Sequence, residues 1–450
     1  MVSILLLSCS ERKVTSADIR PNIIFILTDD QRWDALGAMG NTILKTPNLD
    51  TIAKKGILFQ NAYVTTSICC TSRASILTGQ YAARHHINDF STGFTGDALS
   101  ETYPILLQKE GYKIGFIGKY GVGDATTHPK EQFDFWACTD QLQPEYEHVD
   151  EQGNYIHYTD VIANDIAAFL EVTDERPFNL SVSFKAPHVQ DGDPRQFIPN
   201  PRYNSLYEDV VVPLPKTADP KYWQAFPDFF RTDENIARER WKLRFNTPEK
   251  YQQSVKNYYR LITGVDEVIG KLMQQLKKEG LDKNTVILFM GDNGMFLGEH
   301  GLAGKWYAYE ESVRVPLIIY DPREGRLNGK IVDDIALNID IAPTVLGFAG
   351  IDTPKSMQGL DLVEKLNNGD TTRTSFFYEH SFMGSPGIPK VEALISRTIK
   401  YTRYTEHDYE ELYDLIKDPL EEYNAAEDPA YEAILKRQKI QFDSLRQLAR

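Results

Sequence analysis

At 450 residues, with 42% of them hydrophobic, the chain exceeds the ~250–300 residues that one core usually serves, so it reads as a large and a small domain. A formal net charge of −15 excludes nucleic acid as a partner and requires any site for an anion to be a local basic pocket set against the global field. The 4 cysteines, Cys9, Cys69, Cys70 and Cys138, supply neither a disulfide framework nor a CxxC zinc pair, and no apolar run of ~18 residues is long enough to span a membrane.

In chain order, Ile4-Leu5-Leu6-Leu7-Ser8-Cys9 ends an apolar stretch in a string similar to a bacterial lipobox, with Cys9 as the residue lipidated after cleavage. Residues 1–20 then read as signal, lipid-anchor site and tether, and the protein as exported, periplasmic or anchored to the outer membrane; a frayed apolar terminus is the alternative. Asn22 to Thr28 is short, apolar and β-branched, which predicts a strand buried on both faces of a parallel sheet, with Asp29-Asp30 at its end. The stretch Cys69-Cys70-Thr71-Ser72-Arg73 predicts a helix start with Cys69 at its positive end and Arg73 one turn in, an arrangement suited to an anion. Lys119 follows the apolar Ile114–Ile117 run, and His188 follows Leu180–Phe184.

Residues 189–246 mix prolines, aromatics and charges with little periodicity and read as a lid or substrate wall. Thr247-Pro248-Glu249 starts a helix whose stripe of Val255, Tyr259, Ile262, Val265, Ile269, Leu272 and Leu276 stops at Gly280. Thr285–Met290 is a second buried strand, followed by Gly291-Asp292-Asn293-Gly294. In open α/β sheets ligands gather beyond the carboxyl ends of strands, so the two Asp-bearing turns are placed to meet. Their hard oxygen donors favour Ca²⁺ or Mg²⁺ over zinc. Taken singly, each Asp also reads as a helix cap or turn residue. Beyond Pro354 the pattern shifts to short strands near Leu394 and Lys400–Tyr404, then a terminal helix from about Ala430.

The string Cys69-x-Thr71-x-Arg73 resembles the signature of the type I sulfatases of the alkaline phosphatase superfamily, whose Cys-x-Pro-x-Arg cysteine is oxidised to formylglycine. Thr46-Pro47-Asn48-Leu49-Asp50, Gly118-Lys119, Pro187-His188, Gly304-Lys305 and Glu411-Leu412-Tyr413-Asp414-Leu415 extend the resemblance over nearly the whole chain. It implies a large, mostly parallel α/β sheet flanked by helices (residues 21–365) and a smaller C-terminal α+β unit with an antiparallel sheet (366–450). It further implies sulfate ester hydrolysis on sulfated poly- or oligosaccharides. Cys69 becomes the formylglycine, made by a formylglycine-generating or radical maturation enzyme. Asp29, Asp30, Cys69, Asp292 and Asn293 become the ligands of Ca²⁺ or Mg²⁺, with Arg73, Lys119, His188 and Lys305 as the catalytic set.

His85, His86, Trp306, Tyr307, Arg314 and His380 are candidates for contacting sugar or acidic groups, and each aromatic reads equally well as core. Two positions depart from the family pattern. Thr71 stands for the signature proline, and Gly121 stands where the family has a histidine two residues after the Gly-Lys lysine. Two other functions share these residues: a phosphodiesterase or phosphonate hydrolase of the same superfamily, and a catalytically silent glycan-binding protein.

Overall fold

The computed structural model describes residues 20–171, 174–323, 329–370, 373–381 and 387–450; Cys9 and the lipobox lie outside these residues. Eight strands form the larger sheet: β1 (Asn22–Asp29), β2 (Ile57–Tyr63), β3 (Lys113–Gly118), β4 (Phe135–Cys138), β5 (Phe178–Pro187), β6 (Thr285–Gly291), β7 (Arg314–Tyr320) and β8 (Lys330–Leu337). Their spatial order is β8-β2-β7-β6-β1-β5-β3-β4. β7 runs antiparallel to both neighbours, and the other pairs are parallel.

The continuous apolar strands follow from burial on both sides. On β1, Ile24 and Ile26 face one core while Ile23, Phe25 and Leu27 face the other, the two-residue alternation of a pleated strand. Helices α1 (Pro47–Lys55), α2 (Cys69–Thr78), α3 (Tyr158–Glu171), α4 (Ile236–Arg244) and α5 (Pro248–Lys278) surround the sheet. Thr247 caps α5 by accepting the Lys250 N–H at 3.3 Å, and the predicted stripe from Val255 to Leu276 packs on the β1 side that carries Ile24. In contrast, every residue of α2 is buried. The helix that carries Cys69 is therefore a core element with no solvent face.

The segment expected to be irregular contains α4 and a short helix, Pro220–Ala225. α4 was invisible to periodicity because it buries only Ala237 and Arg244, leaving no apolar stripe to read.

A second sheet of β9 (Ser375–His380), β10 (Val391–Ser396), β11 (Ile399–Tyr404) and β12 (Tyr409–Asp414) is antiparallel throughout. One face packs on α6 (Glu432–Ala449) through Phe377, Leu394, Tyr401 and Phe442. The other face, with Phe376, Tyr378 and Ile395, joins Tyr63, Ile68 and Tyr309 of the larger unit in one continuous core. Lys400 is buried in that seam and pairs with Glu310 at 2.9 Å and Glu421 at 2.8 Å.

Asp266 of α5 anchors the start of α1 from a distance. Its carboxylate accepts the backbone N–H groups of Leu49 at 2.7 Å and Asn48 at 3.2 Å, and the Asn48 side-chain amide at 2.9 Å. These donors at a helix N-terminus have no other cap, because the Thr46 side chain caps no backbone N–H of α1. Asp266→Ala should lower unfolding stability by about 2–3 kcal/mol, read from the urea midpoint, since it leaves buried donors unmatched.

Candidate functional site

Three chain segments converge at the carboxyl ends of the central strands. β1 ends at Asp29, and Asp30 follows with φ +65°, a left-handed conformation that Asp tolerates better than most residues. The turn at Asp30 is held from several sides: its N–H donates to Asp292 Oδ1 at 3.1 Å, its C=O accepts Tyr258 Oη–H at 2.8 Å, and its Oδ1 accepts the Asn293 amide at 2.5 Å. Asp292 and Asn293 follow β6, the strand paired in parallel with β1. The third segment is α2, whose N-terminus has no side-chain cap.

Cys69 and Cys70 are both buried but face different surroundings. Cys70 lies in the apolar cluster with Tyr63, Ile68 and Tyr378. Cys69 faces charge. Burial pushes its thiol up, opposed by Lys119 and Lys305, while Asp29 and Asp292 add to the rise.

Arg73 ties the segments together. Its Nε and Nη2 each lie 2.9 Å from Asp292 Oδ2, its Nη2 is 3.4 Å from Asp29 Oδ2, and its Nη1 donates to the Lys119 carbonyl at 2.7 Å and to Ser183 Oγ. Lys119 Nζ pairs with Asp29, and Lys305 Nζ pairs with Asp30. His188 donates from Nδ1 to the Val189 carbonyl at 2.7 Å, which turns Nε2 toward Asp30 Oδ2 at 3.6 Å and the Gln143 amide at 3.5 Å.

The electrostatics separate the two inner carboxylates. Burial pushes Asp29 up, but Lys119, His188, Lys305 and Arg73 outweigh it and hold the group well below the usual carboxylate range. Asp292 is pushed up to about 7, first by burial and then by Asp29, against Arg73. Burial also lowers His188, opposed by Asp30 and Asp29.

Asp29, Asp30 and His188 bring one ligand atom each within 4.8 Å of one another, so the group could hold a metal ion. Asp29 Oδ1 and Asn293 Oδ1 are buried and accept no hydrogen bond among the described residues. Orphaned buried acceptors are costly and rare, and two of them among hard oxygen donors fit a divalent cation. His188 Nε2 thereby joins the oxygen donors Asp29, Asp30, Asp292 and Asn293 at the same place.

The residues proposed to contact substrate part company. Trp306 adjoins the cluster: it follows Lys305, and Arg240 lies 5.0 Å from its ring centroid. Tyr307 is core, its hydroxyl reaching Asn235 at 3.3 Å. His85 instead bonds Ser75 Oγ at 3.0 Å and accepts the Ile87 N–H at 3.1 Å, a structural role for its ring. His86 is exposed. Arg314 lies at the correct end of its strand, but its guanidinium turns away to the Gln60 carbonyl and stacks 4.0 Å from the Trp33 ring, beside a separate cleft of about 950 Å³. His380 is buried at the end of β9, where burial pushes its imidazole down to about 3.

The sequence reading missed Ser183, Gln143, Lys185 and Tyr146, which position the named groups. Tyr146 Oη–H donates to the His188 carbonyl at 2.6 Å, and buried Lys185 ties Pro144 to Gln190. A lysine two residues before Pro187-His188 in an apolar strand was the available signal.

Residues 21–351 match the family described as Sulfatase, and residues 298–448 match that described as N-sulphoglucosamine sulphohydrolase, C-terminal. The N-acetylglucosamine-6-O-sulfatase of Bacteroides thetaiotaomicron is 30% identical, over 90% of this chain and 82% of that protein. The human N-acetylglucosamine-6-sulfatase is 27% identical, over 85% of this chain and 72% of that one. A solved structure in complex with its substrate D-glucosamine-2-N,6-O-disulfate superposes with a TM-score of 0.82 at 28% identity, covering 96% of this chain and 98% of that chain. The phosphonate monoester hydrolase of Agrobacterium radiobacter shares the fold, with a TM-score of 0.78 at 23% identity over 96% of both chains.

Gly121 has φ +73°, and a Cβ built there would stand 2.7 Å from Arg73 Cδ. A histidine would meet both backbone strain and a collision with the residue that joins Asp29 to Asp292. Gly121→His should therefore reduce kcat/KM by at least ~10-fold rather than raise it, the loss appearing mainly in kcat if Arg73 is displaced from the transition state. By comparison, Cys70→Ala should cost on the order of 1 kcal/mol of stability, read from thermal unfolding, because it removes one small packed side chain.

Proposed function

Because this chain belongs to the sulfatase family, whose members hydrolyse sulfate esters, we propose that the cluster around Cys69 is its active site and that the substrate is a 6-O-sulfated glucosamine unit of a glycan. The observation that carries the site is the pair of buried acceptors without donors among the described residues, Asp29 Oδ1 and Asn293 Oδ1, beside His188, whose Nε2 faces Asp30. The sugar assignment rests on the N-acetylglucosamine sulfatases among the relatives and on the disulfated glucosamine bound in the similar structure.

Asp29, Asp30, Asp292 and Asn293 would hold a divalent cation, with Ca²⁺ favoured by the all-oxygen donors. When present, the cation and a formylglycine made from Cys69 supply charge neutralisation at the sulfate oxygens and an aldehyde hydrate as nucleophile. Within the cluster, Asp29, Asp30 and Asp292 oppose Arg73, Lys119 and Lys305, so the formal charges cancel. A bound dication would leave the pocket net positive, which draws in an anionic ester despite the overall charge of −15.

Arg73 is fixed by two carboxylates, a carbonyl and a hydroxyl, so it presents charge with little reorganisation. His188 keeps Nε2 as the variable proton position, because Nδ1–H is committed to Val189. It is the candidate to protonate the departing alcohol, with Lys305 as the adjoining donor. Cys69 is 1% exposed, so a maturation enzyme must reach it before α2 packs.

The Leu6-Leu7-Ser8-Cys9 string supports export with a lipid anchor, and among the described residues no helix is long and apolar enough to cross a membrane. The fold shared with a phosphonate monoester hydrolase makes parallel assays the discriminating test.

Cys69→Ala and Asp29→Ala should each abolish release of sulfate from glucosamine 6-O-sulfate while the protein still unfolds cooperatively. Chelation should do the same reversibly, with Ca²⁺ restoring turnover. Mass analysis should find an aldehyde in place of the Cys69 thiol in active protein. Faster turnover of a phosphonate monoester than of any sulfate ester would overturn the assignment.

A further inference from the structure

Among the described residues, Arg244 is an arginine with no carboxylate in ion-pair range. It is 2% exposed, at the end of α4. Its Nε donates to Gln196 Oε1 at 2.9 Å, while its Nη1 is buried and meets no hydrogen-bond acceptor among the described residues. A buried guanidinium left with an unmatched N–H is expensive, since neither water nor a counter-ion repays its lost hydration. Arg240 lies one helical turn earlier, on the same face of α4. It stacks 5.0 Å from the Trp306 ring centroid and reaches Asp191 at 3.8 Å.

Both arginines border the cluster already described. Trp306 follows Lys305 directly, α4 packs against the Ala303–Gly304 strand that precedes it, and Asp191 lies three residues after His188. Burial and then Arg240 push Arg244 down to about 9, against the pull of Asp191 and Asp30, so the two guanidiniums, one turn apart on α4, repel each other. The candidate partners of the metal and the scissile sulfate lie elsewhere, at the end of β1, on α2, in the turns after β3, β5 and β6, and at Lys305 after the Ala303–Gly304 strand.

We propose that Arg244 and Arg240 form a second anion-binding position beside the sulfate pocket, selecting sulfated sugars that carry another acidic group, a sulfate or a carboxylate. An oxyanion there would satisfy the orphaned Nη1 and screen the repulsion between the two arginines, and the planar guanidinium matches both oxyanions in a forked geometry. Trp306 is 3% exposed and belongs to the core, so it serves as the fixed ring on which Arg240 stacks. The inference rests on the sulfated-sugar reading above, and it is tested through affinity so that it does not depend on turnover.

The Cys69→Ala protein loaded with Ca²⁺ is titrated calorimetrically with glucosamine 6-O-sulfate, with its 2-N-sulfated form, and with a disaccharide joining glucosamine 6-O-sulfate to a uronate. Tighter binding of either doubly anionic ligand identifies which oxyanion the position takes. Adding Arg244→Gln should weaken that ligand by ~10–100-fold, the range for charge-assisted hydrogen bonds, while glucosamine 6-O-sulfate changes less than about threefold. Arg240→Gln should produce a smaller loss of the same selectivity. Equal weakening of all three ligands would reveal a structural role and overturn the proposal, as would a selectivity that neither substitution alters. If Arg244→Gln does not unfold cooperatively, Arg240→Gln decides alone, an unchanged selectivity again overturning it. Wild-type protein that shows this affinity pattern yet releases no sulfate would refute the catalytic reading and leave the anion position standing.

Discussion

Arg73 sits one turn into a helix that has no exposed face, and its guanidinium spans the ends of two neighbouring strands through Asp29 and Asp292. Its remaining N–H groups reach the Lys119 carbonyl and Ser183, so four segments of the chain are registered against one planar group. A buried ion pair of this kind adds little net stability, because desolvation offsets most of the Coulomb gain, yet losing one partner costs about 3–5 kcal/mol. The arrangement is therefore better understood as a positioning device than as a stabilising one. The apolar cores on either side of the sheet carry the stability, and the charged cluster spends part of it on preorganisation.

That division explains what could be read from the chain alone. The apolar runs at Asn22–Thr28 and Thr285–Met290 announced buried parallel strands, and the rule that ligands gather at strand carboxyl ends placed Asp29 and Asp292 together. The choice of Cys69 over Cys70 came from the register of the Cys-x-Pro-x-Arg signature that the string resembles, and the structure sets Cys70 in an apolar cluster. Burial alone would not have separated the two, since both thiols are inaccessible.

The illegible part was the wall of the site. Of the histidines picked by residue type alone, His85 bonds Ser75 and the Ile87 N–H, and His86 is exposed. Arg314 failed for a different reason. Strand order puts its backbone at the site edge, but side-chain direction sends it into the neighbouring cleft. Arg240 and Arg244 were missed because α4 buries too little apolar surface to generate a periodic signal, so the segment read as irregular. Sequence periodicity reports on what faces a core, whereas a substrate wall is built from residues that face neither core nor bulk water.

Charge then links the components of the site to one another. With three acids balanced by three bases, the cluster by itself offers an anion little net attraction, and a surface of overall charge −15 repels it. Screening confines that repulsion to roughly 8 Å at physiological salt, so the outcome is decided inside the pocket. A dication held by the proposed ligands Asp29, Asp30, Asp292 and Asn293 would shift the local balance to positive. Anion and cation must then strengthen each other's binding by the same factor, since linkage is reciprocal. On the proposed reading the buried acids would do more than ligate: by cancelling Arg73, Lys119 and Lys305 they would make tight capture of a sulfate ester conditional on the cation.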